Sequence, residues 1–219
     1  MKKVQEGNGY NGEWWLPDTE INFVKSLEKH GPYQQRQRTV ALEHVTNWNI
    51  ALDIGANVGF WTKPLCDKFN KVYAWEPHLP AIECWKENIK NENAILEECA
   101  LGNKQEELKL YYSSKQCGGT SFHLGEHLKH HVVQVKTLDD YEFEKNSVGF
   151  VKMDIQEHEI FALQGANKFL DEQNPVLCIE APARDQREMN LFEQIKTLLD
   201  TKNYELVRTT GKERIFIRQ

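Results

Sequence analysis

The sequence has no hydrophobic run long enough to cross a bilayer. Its apolar stretches are a few residues long, where a span needs about 18 or more, and the mean hydropathy of its 219 residues is −0.65. The start, Met1-Lys2-Lys3-Val4-Gln5-Glu6-Gly7-Asn8, lacks the apolar centre of a secretory signal, so a cytoplasmic protein without membrane contact is expected. The five cysteines, Cys66, Cys84, Cys99, Cys117 and Cys178, form no C-x-x-C pair. Their odd number fits reduced, buried thiols better than a disulfide framework. Basic charge is not in excess: 27 Lys and Arg against 33 Asp and Glu leave −6, with no block of one sign. A duplex binder that works by neutralising phosphates is therefore disfavoured. No HExxH is present, and His123, His127, His130 and His131 have no cysteine at finger spacing, so no zinc site is expected. Repeats and low-complexity segments are also missing.

What is present is an alternation. The first dozen residues, rich in Gly and Asn, read as mobile. Pro17-Asp18-Thr19 then opens a helix with Ile21, Val24 and Leu27 on one face, stopped by Gly31-Pro32. A second helix is expected over Gln34 to Thr46. Residues 1–49 thus read as an N-terminal extension, a helical cap. From residue 50, short apolar runs alternate with helical patterns. The expected strands are Ile50–Ile54, Val72–Trp75, Ala94–Ala100, Val148–Ile155, Val176–Glu180, Tyr204–Arg208 and Ile215–Ile217. The helices between them are expected over Phe60–Phe69, Leu79–Ile89, Glu159–Leu170 and Gln186–Lys202. Apolar runs flanked by helices are buried parallel strands. The fold class is α/β, a doubly wound, mostly parallel seven-stranded Rossmann-like sheet over residues 50–219. The last two strands meet across Thr210-Gly211-Lys212 with no helix between them, which implies a C-terminal antiparallel hairpin. Residues 102–146 break the alternation and read as a substrate-side excursion, with a surface hairpin that touches no ligand as the open alternative.

The sharpest local signal is Asp53-Ile54-Gly55-Ala56-Asn57-Val58-Gly59, a buried strand running into a glycine turn and then a helix. The spacing is D-x-G-x-x-x-G rather than the G-x-G-x-x-G that cradles a pyrophosphate, and Asp53 would repel such an anion. A carboxylate there suits a cationic ligand, while Gly55 and Gly59 let the backbone pass close to it. The second signal is Glu76-Pro77, which ends the next strand 23 positions after Asp53. An acid about 20 residues on is placed to bind ribose hydroxyls.

These motifs resemble the class I S-adenosylmethionine-dependent methyltransferases, and more narrowly the FkbM type. The narrower likeness rests on Ala100-Leu101-Gly102, on Thr137-Leu138-Asp139-Asp140, and on Val151-Lys152-Met153-Asp154-Ile155-Gln156-Glu157-His158-Glu159 with Leu163-Gln164-Gly165-Ala166. Pro175-Val176-Leu177-Cys178-Ile179-Glu180 completes it. The resemblance covers about residues 50 to 182. It implies S-adenosyl-L-methionine as cofactor, with Ala56, Asn57, Phe60, Pro77, Cys99, Ala100 and Asp154 joining Asp53, Gly55, Gly59 and Glu76 at its site. It also implies O-methylation of a hydroxyl on a sugar or other small molecule. One departure stands out: Gln156-Glu157 replaces the family's usual Glu-Gly.

A neutral hydroxyl attacks a sulfonium methyl poorly unless it is positioned and loses its proton. The candidate bases are Asp154, His158, Glu159 and Glu180, all near the ends of the fourth and fifth strands. A divalent cation between Asp154 and Glu180 is an alternative, but no third oxygen ligand stands out and no metal is expected. Thr120 and its neighbours in the excursion are placed to line an acceptor pocket. Trp14-Trp15 and Tyr33-Gln34, with Arg36 and Arg38, are weaker candidates to cover it. The expected partner is a small-molecule or glycan acceptor. The competing readings are a nucleic-acid or protein methyltransferase and a non-catalytic S-adenosylmethionine-binding module. Asp154-Ile155-Gln156 stands where amino-methylating DNA enzymes place an aromatic to hold a flipped base, which disfavours a nucleic-acid acceptor. Length and composition leave the oligomeric state open.

Overall fold

The computed structural model describes residues 1–113, 116–122 and 128–219. A hairpin of β1 (Lys2–Gln5) and β2 (Glu13–Leu16) precedes helices α1 (Asn22–His30) and α2 (Gln35–Leu42). Then come β3 (Ile50–Ile54), α3 (Thr62–Cys66), β4 (Lys71–Trp75), α4 (Leu79–Asn88) and β5 (Ala94–Glu97). The excursion holds β6 (Ala100–Leu101), β7 (Glu106–Ser113), β8 (Gln116–Ser121) and β9 (Lys129–Lys136). The chain closes with β10 (Val148–Met153), α5 (Glu159–Gln164), α6 (Asn167–Glu172), β11 (Val176–Glu180), α7 (Gln186–Asp200), β12 (Tyr204–Thr210) and β13 (Glu213–Arg218).

The seven-stranded sheet runs β12-β13-β11-β10-β3-β4-β5. Strands β3, β4, β5, β10 and β11 pair in parallel, and β13 lies antiparallel between β11 and β12. Alternate residues of each strand serve opposite layers. Leu52, Ile54, Val151 and Met153 pack with Leu163 of α5 and Ile195 and Leu199 of α7. Ala51 and Phe150 face the other way, onto Leu42 of α2 and Leu65 of α3. The strand order reverses between β3 and β10, and the crevice outside the carboxyl ends at such a reversal is where ligands bind in this class of sheet.

Several expected elements are shorter than read, the helix over Phe60–Phe69 being only Thr62–Cys66, and three larger departures stand out. The first dozen residues are partly a hairpin: Val4 pairs with Trp14, and both are buried. The expected strand Ala94–Ala100 is two: β5 ends at Glu97, which still pairs with Trp75 while its side chain meets Tyr141 and Lys136. After it, β6 joins β9, β7 and β8 in a second, four-stranded sheet. The expected helix Glu159–Leu170 breaks at Gly165, where any Cβ would stand 2.0 Å from the Gly102 carbonyl oxygen. No helix among the described residues is long and apolar enough to cross a membrane.

Candidate active site

The turn after β3 is tied to the neighbouring strand by two backbone bonds, from Gly55 N and Ala56 N to the Trp75 carbonyl oxygen at 2.9 Å each. Gly55 (φ +85°), Asn57 (+51°) and Gly59 (+97°) give it a left-handed path. The first demand on Gly55 is packing, since a Cβ there would meet the Asp154 carbonyl oxygen. Gly59 is likewise pressed against Ile89.

Two acids anchor this turn. Asp53 is buried, and its Oδ2 accepts from Thr62 Oγ1 at 2.5 Å. Thr62 Oγ1 in turn accepts from Trp85 Nε1 at 3.0 Å. Burial pushes the Asp53 carboxyl up to about 6, against the pull of Thr62 and Lys152. Glu76 is also buried and accepts the backbone N–H of Asn57 at Oε2 and that of His78 at Oε1, both at 2.8 Å. Burial pushes it up to about 7. Asn57 Oδ1 has no partner among the described residues although it is shielded from solvent.

A cleft of about 240 Å³ opens above these groups. Asp53, Gly55, Ala56, Asn57, Phe60, Glu76, Pro77, Cys99, Ala100, Asp154 and Glu180 line it together; Gly59, His158 and Glu159 lie outside that lining. The His158 ring is buried between Phe122 and Phe161, with centroids 4.7 and 4.8 Å away. Glu159 Oε1 accepts from Ile155 N at 2.9 Å, bracing the loop after β10, and burial holds its carboxyl near 7.

Beyond the turn lies a connected set of charges. Gln156 Nε2 donates to Asp154 Oδ1 at 2.9 Å and to Glu180 Oε2 at 3.0 Å. Lys212 Nζ donates to Glu180 Oε1 at 2.8 Å. Lys152 Nζ lies 3.6 Å from Asp154 Oδ2 and 3.1 Å from Glu213 Oε2. Burial would raise the Asp154 carboxyl, but the Lys152 ammonium and the hydrogen bonds of Glu180 and Gln156 outweigh it and hold it below its usual value. Burial and the neighbouring Asp154 charge push Glu180 up to about 8. The pair therefore keeps one proton near neutral pH, on Glu180. Gln156 and Glu157 both sit at positive φ, +53° and +72°. The loop thus keeps a left-handed path without a glycine, and Glu157 is paired with Arg187.

Sequence reasoning passed over Lys152, Trp61, Gln156 and Lys212 as lining residues, and all four border the cleft. A lysine inside the apolar run Val151-Lys152-Met153 was the available signal, because a charge in a strand buried on both faces needs a partner. Of the weaker candidates, Tyr33, Gln34 and Thr120 line the cleft. Trp14 instead packs on Phe60 at 4.7 Å, and Arg38 donates to the carbonyls of Tyr33 and Phe60. His123 and His127 lie outside the described residues. His131 approaches the Pro77 carbonyl oxygen at 3.2 Å, and no group of three metal-binding side chains occurs among the described residues.

Comparison with known proteins gives one family and a set of shared folds. The Methyltransferase FkbM domain family matches residues 53–206. No curated protein matches. Among solved structures, the methyltransferase FkbM of Methylobacillus flagellatus superposes with a TM-score of 0.52 at 18% identity, over 78% of this chain and 43% of that one. The chain thus spans less than half of that relative. A Streptococcus mutans protein put forward as a methyltransferase, solved with SAH, gives 0.51 at 14% identity over 83% and 94% of the two chains. An rRNA methylase of Streptococcus thermophilus gives 0.50 at 14%, over 84% and 95%. At these identities the likeness is one of fold.

Proposed function

Because this chain belongs to the FkbM methyltransferase family, we propose that it methylates a hydroxyl of a sugar or other small molecule, with S-adenosyl-L-methionine as donor and Asp154 as the proton acceptor. The observation that carries the reading is the pairing of two acid sets across one cleft. Asp53 and Glu76 lie at the ends of β3 and β4, and Asp154 and Glu180 at the ends of β10 and β11.

The residues present fit the donor. Glu76 occupies the strand-end position that binds ribose hydroxyls in doubly wound folds. The unpartnered Asn57 Oδ1 is an acceptor in want of a donor group. The buried acids favour a cation over a diphosphate. Bound there, S-adenosylmethionine supplies a methyl group carried on a positively charged sulfur.

The remaining work falls to the chain. Asp154, ionised, takes the proton that the acceptor hydroxyl gives up, and its O–H bond forms as the acceptor's breaks. Glu180, protonated, donates a hydrogen bond and adds no second negative charge beside it. Gln156 fixes the spacing of the two carboxyls. Tyr33, Phe60 and Phe122 supply apolar walls that exclude water.

The test is Asp154→Asn. S-adenosylhomocysteine binding by calorimetry is expected to stay within about threefold, while turnover falls by roughly 10²–10⁴-fold. Turnover is read as S-adenosylhomocysteine release over a panel of sugars, small alcohols and an RNA oligonucleotide. Undiminished turnover removes Asp154 from the reaction. Tight NADH binding without S-adenosylhomocysteine binding removes the donor.

A further inference from the structure

We propose that Lys152 is a positioning residue for this reaction: its ammonium holds Asp154 ionised and oriented, and Glu213 and Gln34, from outside the segment that matches the family, hold the ammonium in place. The proposal rests on the reading of Asp154 as proton acceptor.

Lys152 is 1% exposed, on the central strand β10, directly beneath the cleft. An ammonium buried this deeply has three protons to place on neighbouring protein groups. One goes to the Met153 carbonyl oxygen at 3.3 Å and one to Glu213 Oε2 at 3.1 Å. The third side meets Asp154 Oδ2 at 3.6 Å, an ion pair just beyond hydrogen-bonding length. The face of Trp61 closes the site, 5.4 Å from ring centroid to Nζ.

A purely structural ion pair would be complete with Glu213, which is as deeply buried as the lysine. The second carboxylate differs, because a quarter of the Asp154 side chain stays open to the cleft. Lys152 thus joins a sealed acid to an open one. Glu213 is itself restrained: its Oε1 accepts from Gln34 Nε2 at 3.2 Å. Gln34 adopts a left-handed φ of +50°, and its Oε1 accepts from Trp61 Nε1 at 2.6 Å. The chain of contacts runs Trp61, Gln34, Glu213, Lys152, Asp154 and ties both ends of the protein to the central acid.

The charged and titratable groups that act on Asp154, or that it acts on, come from every element around it. They are Lys152 on its own strand, Glu180 and Cys178 of β11, Lys212 of the last turn, Tyr33 before α2, Asp53 of β3, Glu76 after β4 and Glu159 of α5. Burial of Lys152 is outweighed by Glu213 and Asp154, so the ammonium keeps its proton far above neutral pH. It is the fixed charge of the set.

The experiment is a ¹³C NMR titration of aspartate side-chain carboxyls in the full chain without ligand, the Asp154 resonance being the one lost in Asp154→Asn. Lys152→Met is expected to raise its titration by about one pH unit or more, and the acid limb of the rate profile moves with it. Glu213→Gln keeps the ammonium and removes its competing carboxylate, so it is expected to lower the titration. The opposite signs separate the proposal from general loosening, which would move both variants toward the value of a free aspartate. If Lys152→Met does not fold, Glu213→Gln carries the test. A wild-type titration in a folded variant, or a rise in Glu213→Gln, overturns the proposal. Full turnover in Asp154→Asn would defeat the reading of Asp154 as proton acceptor while leaving the titration result standing.

Discussion

The carbonyl oxygen of Asp154 lies 2.0 Å from the point where a Cβ on Gly55 would stand. The turn that carries the proposed donor-site residues is therefore pressed against the end of the strand that carries Asp154. Gly55→Ala is expected to suffer twice. A side chain at φ +85° costs about 1–2 kcal/mol, and forcing the two strand ends apart costs about 1–3 kcal/mol. The expected outcome in thermal unfolding by circular dichroism is a melting temperature lower by roughly 5 °C or more, with weakened S-adenosylhomocysteine binding in calorimetry. A variant that melts and binds like the wild type would show that the two ends are not in contact.

Gln156 stands where the resembling family usually has glutamate, and its amide spans Asp154 and Glu180. Gln156→Ala removes one hydrogen bond from each carboxyl, the one to ionised Asp154 being worth about 1.5–3 kcal/mol. It leaves the turn after β3 untouched. Turnover is expected to fall by about 10- to 100-fold with S-adenosylhomocysteine affinity unchanged within about threefold. Equal losses in both measurements would mean that Gln156 serves the donor and not the acid pair.

The alternation from residue 50 was legible because strands buried on both faces are written as unbroken apolar runs, as in Ile50–Ile54 and Val176–Glu180. The closing hairpin was legible from Thr210-Gly211-Lys212. The parting of β5 from β6 was not, because seven residues of strand-like pattern do not say which sheet each half joins. That Asp53 and Glu76 share one cleft was readable from spacing, since they end adjacent parallel strands. The side chains around Asp154 were not, because Gln34, Gln156, Glu180 and Glu213 are brought together by tertiary packing. No local pattern records which carboxylate a buried lysine faces. Nor does a turn sequence tell where a ring points: His158 has a base's ordinary chemistry but is packed between two phenylalanines.

Four carboxyls hold protons more tightly in the folded chain than an exposed acid does: Asp53 at about 6, Glu76 and Glu159 at about 7 and Glu180 at about 8, each chiefly through burial. In the unfolded chain these groups ionise near about 4. Between the two values the folded protein carries protons that the unfolded chain has released, so stability falls as pH rises through the window. Asp154, held low, acts only below it. The ligand-free protein is expected to be most stable near about pH 5 and to lose roughly 5 °C or more of melting temperature by about pH 8. Melting temperatures that climb over that range would mean the four acids are ionised when folded.

Two of these acids, Asp53 and Glu76, tie the proposed donor binding to pH. A ligand bearing a cation and a diol is held best when Glu76 and Asp53 are ionised, but the empty site keeps them partly protonated near pH 6 to 7. Binding must then release protons, and affinity must rise with pH until the carboxyls are ionised without help. S-adenosylhomocysteine, which keeps the ammonium and the ribose, is expected to bind roughly tenfold more tightly at about pH 8 than at about pH 6. Calorimetry in two buffers of different ionisation enthalpy should read the released protons directly. Glu76→Gln cannot titrate and leaves an amide N–H against a backbone N–H, of Asn57 or of His78. It is expected to bind about 100-fold more weakly at about pH 8 and to show a shallower pH dependence, carried by Asp53 alone. An unchanged slope in that variant would place the linked proton on some other group and detach Glu76 from the donor.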